Sequence, residues 1–353
     1  MCKSPFHPLL QALPKCEHHM HIEGALSPDL LFDLASRNDV SLPGNDESFA
    51  SPSALHNRYK RFTSLDDFLQ YYYIGMSVLI NESDFEDLAW DYFQKAASGG
   101  LAHAELFFDP QAHSGRGVGV STVVRGFDAA RRRAEEELGV SSLLTPCFLR
   151  HLPAEDSLSA FRDPVLQQYF ASGSLIGVGL DSSEADNPPK LWRAIFEEAG
   201  KLGLKKTAHA GEEGPPEYVS EALEELQVDR IDHGVTLARN PTIMKEVARK
   251  GVMLSLCPKS NVVLRCVQNI QQVPIRTYLD AGVNFSINSD DPAYFGGYIL
   301  DNFCEVHEAF DLSLEEWTHI CKTAIEGSWC GRARKDELLH KLEKVLKDWN
   351  AQN

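Results

Sequence analysis

Short runs of apolar and β-branched residues recur along this chain, at 16–23, 101–110, 142–150, 175–182, 205–211, 230–234, 252–258 and 284–289. Stretches of helical periodicity separate them. A strand followed by a helix must cross over to reach its neighbour, so this alternation implies a parallel sheet. Several runs are continuously apolar, as strands covered on both faces are. Eight such units favour closure into a (β/α)8 barrel of the TIM type. A barrel of that kind, with extra helices inserted after strand one, accounts for residues 1–353 as a single domain.

Helix starts are marked locally. Ser27-Pro28 places an N-cap serine and a first-turn proline ahead of a helix at 29–38. Ser83-Asp84-Phe85-Glu86 and Ser313-Leu314-Glu315-Glu316 have the form of capping boxes. One connection is long. Between strands one and two lies a segment, 41–53, rich in Pro, Gly, Ser and Asn, followed by helical patterns at 54–62 and 65–78. Long βα connections lie at the active-site face of barrels, so residues 41–80 are expected to form a lid over a pocket.

Charge narrows the partners. The chain has 34 Lys+Arg against 51 Asp+Glu, a net charge of −17, which repels nucleic acid. The basic run Arg131-Arg132-Arg133 is followed by Glu135-Glu136-Glu137, the pattern of a solvated helix face. No segment reaches the ~20 unbroken apolar residues of a membrane span. Residues 1–14 carry one lysine and a brief apolar patch, a poor signal peptide, so a cytoplasmic location is expected. The 8 cysteines (Cys2, Cys16, Cys147, Cys257, Cys266, Cys304, Cys321, Cys330) include no C-x-x-C pair and read as reduced thiols.

Barrel catalysts take their reactive groups from the C-terminal ends of strands. Here those ends carry histidines and carboxylates repeatedly: Glu17 to Gly24 after strand one, His209-Ala210-Gly211-Glu212 after strand five, Asp232-His233-Gly234 after strand six, and Asn288-Ser289-Asp290-Asp291 after strand eight. Alternation puts His19 and His21 on one face and His18 on the other. Two imidazoles on one face, joined by a third His and a carboxylate, can hold one metal ion. Zn²⁺ suits that donor set best, and Fe²⁺ or Mn²⁺ also fit. Such an ion lowers the pKa of bound water to ~7, and attack then needs a proton donor. Glu212, just beyond His209 across an Ala-Gly hinge, is the candidate acid; its neighbour Glu213 reads as surface. His233 can orient or deprotonate the water. Of the adjacent pair Asp290-Asp291, one can bind metal while the other faces substrate. The glycine pairs at Gly115-Arg116-Gly117 and Gly296-Gly297 lack the lysine and strand–helix setting of a phosphate loop, and no G-x-S-x-G elbow or cytidine-deaminase zinc signature occurs.

Pro14–Ala25 (PKCEHHMHIEGA), Thr207–Glu213 (TAHAGEE), Arg230–Gly234 (RIDHG) and Asn288–Pro292 (NSDDP) together resemble the adenosine/adenine deaminase family of metal-dependent amidohydrolases. The resemblance runs in order over nearly the whole chain and is nearest to fungal-type adenine deaminases. Tyr71–Gly75, Leu88–Trp90, Phe107–Gln111, Gly179–Glu184 and Asp290–Tyr298 add to it.

The resemblance implies a (β/α)8 barrel with one Zn²⁺ per chain on His19, His21, His209 and Asp290. It implies that Glu212 protonates purine N1, that His233 assists the water, and that Asp291 pairs with N7. The expected reaction is hydrolytic deamination of adenine to hypoxanthine and ammonia, in purine salvage, in the cytoplasm and also the nucleus. The partner expected is a small purine base, with no nucleic acid and no membrane.

Two positions depart from the adenosine-specific pattern. Glu23 stands where an Asp contacts ribose, and Asp181-Ser182-Ser183-Glu184 puts Glu184 where a Gly lies against the purine. Glu184, with Ser183, is expected to accept the N9–H of the free base. The alternative readings are an adenosine deaminase or N6-substituted adenine deaminase, a two-metal hydrolase that would need a strand-four lysine absent here, and an inactive binding protein.

Overall fold

All eight expected strands form, as β1 (Lys15–His21), β2 (Leu101–Phe108), β3 (Ser141–Leu149), β4 (Gly177–Asp181), β5 (Lys205–Ala210), β6 (Arg230–His233), β7 (Met253–Leu256) and β8 (Phe285–Ile287). The computed structural model describes residues 4–352. Each strand pairs in parallel with the next in chain order. The ring closes between the first strand and the segment after the last. The His21 N–H donates to the Asp290 carbonyl and the Asp290 N–H to the His19 carbonyl, each at 3.1 Å. Every residue of β1, β2, β4, β6, β7 and β8 is buried. This is why those runs are not alternating in the sequence: one face fills the barrel and the other meets the helices.

The helix starts follow the cap chemistry, with one correction. Ser27 accepts from the Leu30 N–H at 3.4 Å and the helix Pro28–Arg37 follows. Ser313 and Glu316 form the expected box. The box expected at Ser83 and Glu86 lies inside the helix Glu82–Ser98 instead, whose N-cap is Asn81. The buried Asp84 carboxylate decides this, because it accepts from the main-chain N–H of Ile80 at 3.0 Å and of Asn81 at 2.7 Å.

Residues 41–80 hold a 3₁₀ turn, Glu47–Ala50, and the helices Pro52–Tyr59 and Leu65–Met76. They pack on the short helix Pro292–Phe295, which follows β8. The Tyr59 and Tyr294 rings stack at 4.5 Å and the Phe68 and Phe295 rings meet at 4.9 Å. Aromatic packing therefore fixes the long connection at the end of the barrel where the strands terminate.

The basic run lies on the helix Val120–Leu138, where Arg133 pairs with Glu137 at 2.8 Å. Cys16, Cys147, Cys257, Cys266, Cys321 and Cys330 are free thiols, and Cys2 lies outside the described residues. Among the described residues no helix is long and apolar enough to cross a membrane.

Candidate active site

The barrel interior is polar in layers, and each layer prepares the next. On β6, Arg230 pairs with Glu105 of β2 at 2.6 Å across the barrel. Burial alone would raise the Glu105 carboxyl, but the Arg230 guanidinium holds it well below the usual carboxylate range. One pleat further along β6, Asp232 accepts hydroxyl hydrogens from Thr207 at 2.7 Å and Ser255 at 2.8 Å. Its oxygens lie 3.5 Å from His209 Nδ1 and 3.9 Å from His19 Nδ1. Burial opposes its ionisation, but the nearby His209 and His19 rings hold it well below the usual range. His19 Nδ1 bonds Ser255 Oγ at 3.1 Å, and Ser255 in turn donates to Asp232, so the carboxylate orients His19 through this hydroxyl and faces His209 directly.

The forward nitrogens converge. His21 Nε2 lies 3.3 Å from His209 Nε2 and 3.7 Å from Asp290 Oδ1, and His19 Nε2 lies 3.1 Å from the same oxygen. His19 Nε2 has no hydrogen-bond partner although it is fully buried. A tetrahedral ion with ligands at ~2.05 Å would have edges of about 3.3 Å. The separations match that figure, and a buried nitrogen without a partner is what such an ion would satisfy. Burial pushes His21 down to about 4, so its ring is neutral, as a metal ligand must be. The four residues fit one metal ion. His18 turns away from them, bonded to Ser286 at 3.0 Å and Ser328 at 2.8 Å.

Beside this cluster stand the groups expected to act on substrate. His233 Nε2 is 3.5 Å from Glu212 Oε2 and 3.9 Å from Asp290 Oδ2. Burial first, then the charges of Asp290 and Glu184, push the Glu212 carboxyl well above its ordinary value, whereas Glu213 is exposed. Burial and the adjacent Asp290 likewise raise Asp291. Asp291 lies against Gly24, where a Cβ would overlap its carboxyl group. Ser182, His233 and Asp290 all hold left-handed backbone at φ 72°, 61° and 65°. Such non-glycine conformations cost of order 1–3 kcal/mol each and cluster at functional sites.

Several of these residues line one cavity at this end of the barrel. Its polar floor is made by His21, His209, Glu212, His233, Asp290 and Asp291, with Asp109, Asp181 and Ser182 beside them. Leu65, Phe68, Leu69, Tyr72 and Tyr73 of the helix Leu65–Met76 form an apolar wall opposite, and Leu264 adds to it.

Three residues expected to touch substrate are placed elsewhere. Glu23 is fully buried behind the wall, accepting from the Asp109 N–H at 3.1 Å and His113 Nε2 at 2.7 Å. Ser183 donates to Glu213 at 3.4 Å. Glu184 accepts main-chain N–H groups from Gly211 and Glu212, each at 3.1 Å, and from Gly214 at 2.8 Å. The donors of the 211–214 turn claim the Glu184 carboxylate, so it does not face the cavity as an open acceptor. Conversely, no motif in the sequence marks Asp109, Asp181 or Ser182 as lining a site. Their one signal was position, since each sits at or just past the end of a strand.

Comparison with known proteins agrees with this geometry. Residues 14–345 match a family model described as adenosine deaminase. The chain is 54% identical over 343 residues to an adenine deaminase of Aspergillus oryzae, covering 97% of each chain. It is 49% identical over 352 residues to an adenine deaminase of Schizosaccharomyces pombe, covering 100% of this chain and 96% of that one. The crystal structure of an adenine deaminase from Arthrobacter aurescens superposes with a TM-score of 0.89 at 41% identity, covering 95% of this chain and 99% of that one.

Proposed function

The chain belongs to the adenosine deaminase family, and on that premise we propose that it deaminates adenine: adenine and water give hypoxanthine and ammonia. The observation that carries the reading is the convergence of four ligand atoms beside a buried glutamic acid whose carboxyl burial pushes well above its ordinary value, in a chain half identical to adenine deaminases. His19, His21, His209 and Asp290 would hold one zinc ion, since three imidazoles and a carboxylate are a donor set that suits it. Bound there, zinc makes water a competent nucleophile near neutral pH.

The protein's own groups do the rest. Glu212, kept protonated by burial, donates its proton to N1 as C6 is attacked. His233, 3.5 Å from Glu212 and 3.9 Å from Asp290, orients the attacking water between them. Asp291, also kept neutral by burial, donates to N7 and fixes the plane of the base. Phe68 and Tyr72 cover the opposite face, and residues 41–80 act as a lid that excludes bulk water. The compartment proposed is the cytoplasm or nucleus, where thiols such as Cys16 and Cys330 stay reduced.

A substrate screen tests the reading. Purified protein loaded with zinc should convert adenine to hypoxanthine with stoichiometric ammonia, and adenosine, AMP and N6-methyladenine far more slowly. Adenosine turned over faster than adenine would overturn it.

A further inference from the structure

We propose that Asp109 is the residue that selects the free base, by accepting the N9–H of adenine. The inference rests on the adenine reading above and deepens it. Asp109 follows β2 directly and opens the short helix Pro110–Ser114, yet its carboxylate makes no capping bond. Its main chain is committed on both sides: the N–H goes to Glu23 at 3.1 Å, and the carbonyl accepts from Ala112 at 3.2 Å. The side chain has the Asp181 carboxyl beside it and leaves one oxygen over. Asp109 is 1% exposed, lines the cavity, and its Oδ1 has no partner. Leaving a buried carboxyl oxygen unpaired is unfavourable unless something else supplies a donor.

A count of bonds around the base identifies that donor. With C6 at the ligand cluster, Glu212 serves N1 and Asp291 serves N7. The remaining ring donor of free adenine is N9–H, on the edge away from C6. Asp109 and Asp181 are the two carboxyls of the cavity wall left for it. Asp181 also has an unpartnered Oδ1, but its Oδ2 lies 3.6 Å from His21 Nδ1, where it orients a ligand imidazole. Glu23 and Glu184 do not line the cavity, and each accepts from main-chain N–H. Asp109 therefore remains. Ionised or neutral, a carboxyl keeps an acceptor lone pair for N9–H. A nucleoside lacks that hydrogen and would press its sugar against the same oxygen, so one contact both rewards the base and rejects the nucleoside.

The test compares adenine with 9-methyladenine, and inhibition by hypoxanthine with inhibition by 9-methylhypoxanthine, in wild type, Asp109→Ala and Asp109→Leu. Wild type should prefer the N9–H member of each pair by about 1000-fold. Both variants should lose about 100-fold or more in kcat/KM on adenine while 9-methyladenine is unchanged or improved. Hypoxanthine inhibition should fall to the level of its 9-methyl analogue, with zinc content and melting temperature retained. The near-isosteric leucine keeps the wall packed should the alanine variant prove unstable. A parallel loss on both substrates, or adenine turnover within about threefold of wild type in a folded variant, overturns the assignment while leaving the deaminase reading intact. Wild type inactive on adenine overturns both, and is seen before any variant is made.

Discussion

Glu184 accepts the main-chain N–H of Glu212 at 3.1 Å. One carboxylate thus holds the backbone of the residue proposed to supply the proton. Its second oxygen takes Gly211 and Gly214, and a side chain at 214 would collide with it. The turn is clamped on its other flank as well, since Arg150 donates to the His209 carbonyl at 2.7 Å.

Glu184→Gln should therefore behave as a positioning defect. The amide nitrogen cannot accept, so at least one of the three N–H groups is left unpaired and the Glu212 turn loosens. A misplaced catalytic group can cost about 100-fold, and the loss is expected in kcat with KM for adenine within a few fold. A raised KM with kcat preserved would instead mark Glu184 as a substrate contact.

Glu212→Gln should lower kcat by about 100- to 10,000-fold with zinc content unchanged. The pH dependence has a definite sign. The folded state holds Glu212 protonated, so the proton donor is present below its raised pKa, and activity falls as pH rises through it. Stability runs the same way: a raised carboxyl pKa makes folding less favourable above the unfolded value. Glu212→Gln should then melt higher than wild type, with a gain that grows from about pH 5 to 8. Calorimetry at several pH values checks this, and a pH-independent difference would contradict it.

Removing the metal should abolish turnover and soften the site. The uncompensated convergence of His19, His21, His209 and Asp290 is relieved by an ion that binds only the folded state. At metal concentrations ~1000-fold above Kd this linkage contributes about 4 kcal/mol. Chelation should lower the melting temperature and zinc should restore both properties at one equivalent. His209→Ala should bind less than half an equivalent.

Arg230→Met should damage the fold and not the chemistry directly. It strands Glu105, whose oxygen lies 2.6 Å from the guanidinium in the barrel interior. Breaking a buried pair from one side costs about 3–5 kcal/mol. Urea unfolding measures it, and the double variant with Glu105→Met should recover much of the loss. Because Glu105 is held ionised, its contribution is present at neutral pH and is lost as pH falls towards its lowered pKa.

Much of this protein is written locally. Eight apolar runs spaced by capped helices lead to a parallel barrel, and each run became a strand. His19, His21, His209, Asp290 and Glu212 stood out because reactive groups recur at strand ends, where periodicity fixes which way a side chain points. The direction of carboxylates beyond those ends is not periodic. Glu184 turns to amides 27 to 30 residues along the chain, and Glu23 to a histidine 90 residues along, while Asp109 and Asp181 are left facing the cavity. A buried carboxylate goes where unsatisfied donors are, and only the closed barrel brings those donors within reach. The sequence by itself determined the barrel and which residues stand at its strand ends; the tertiary structure decided which acids turn to the backbone and which face the cavity.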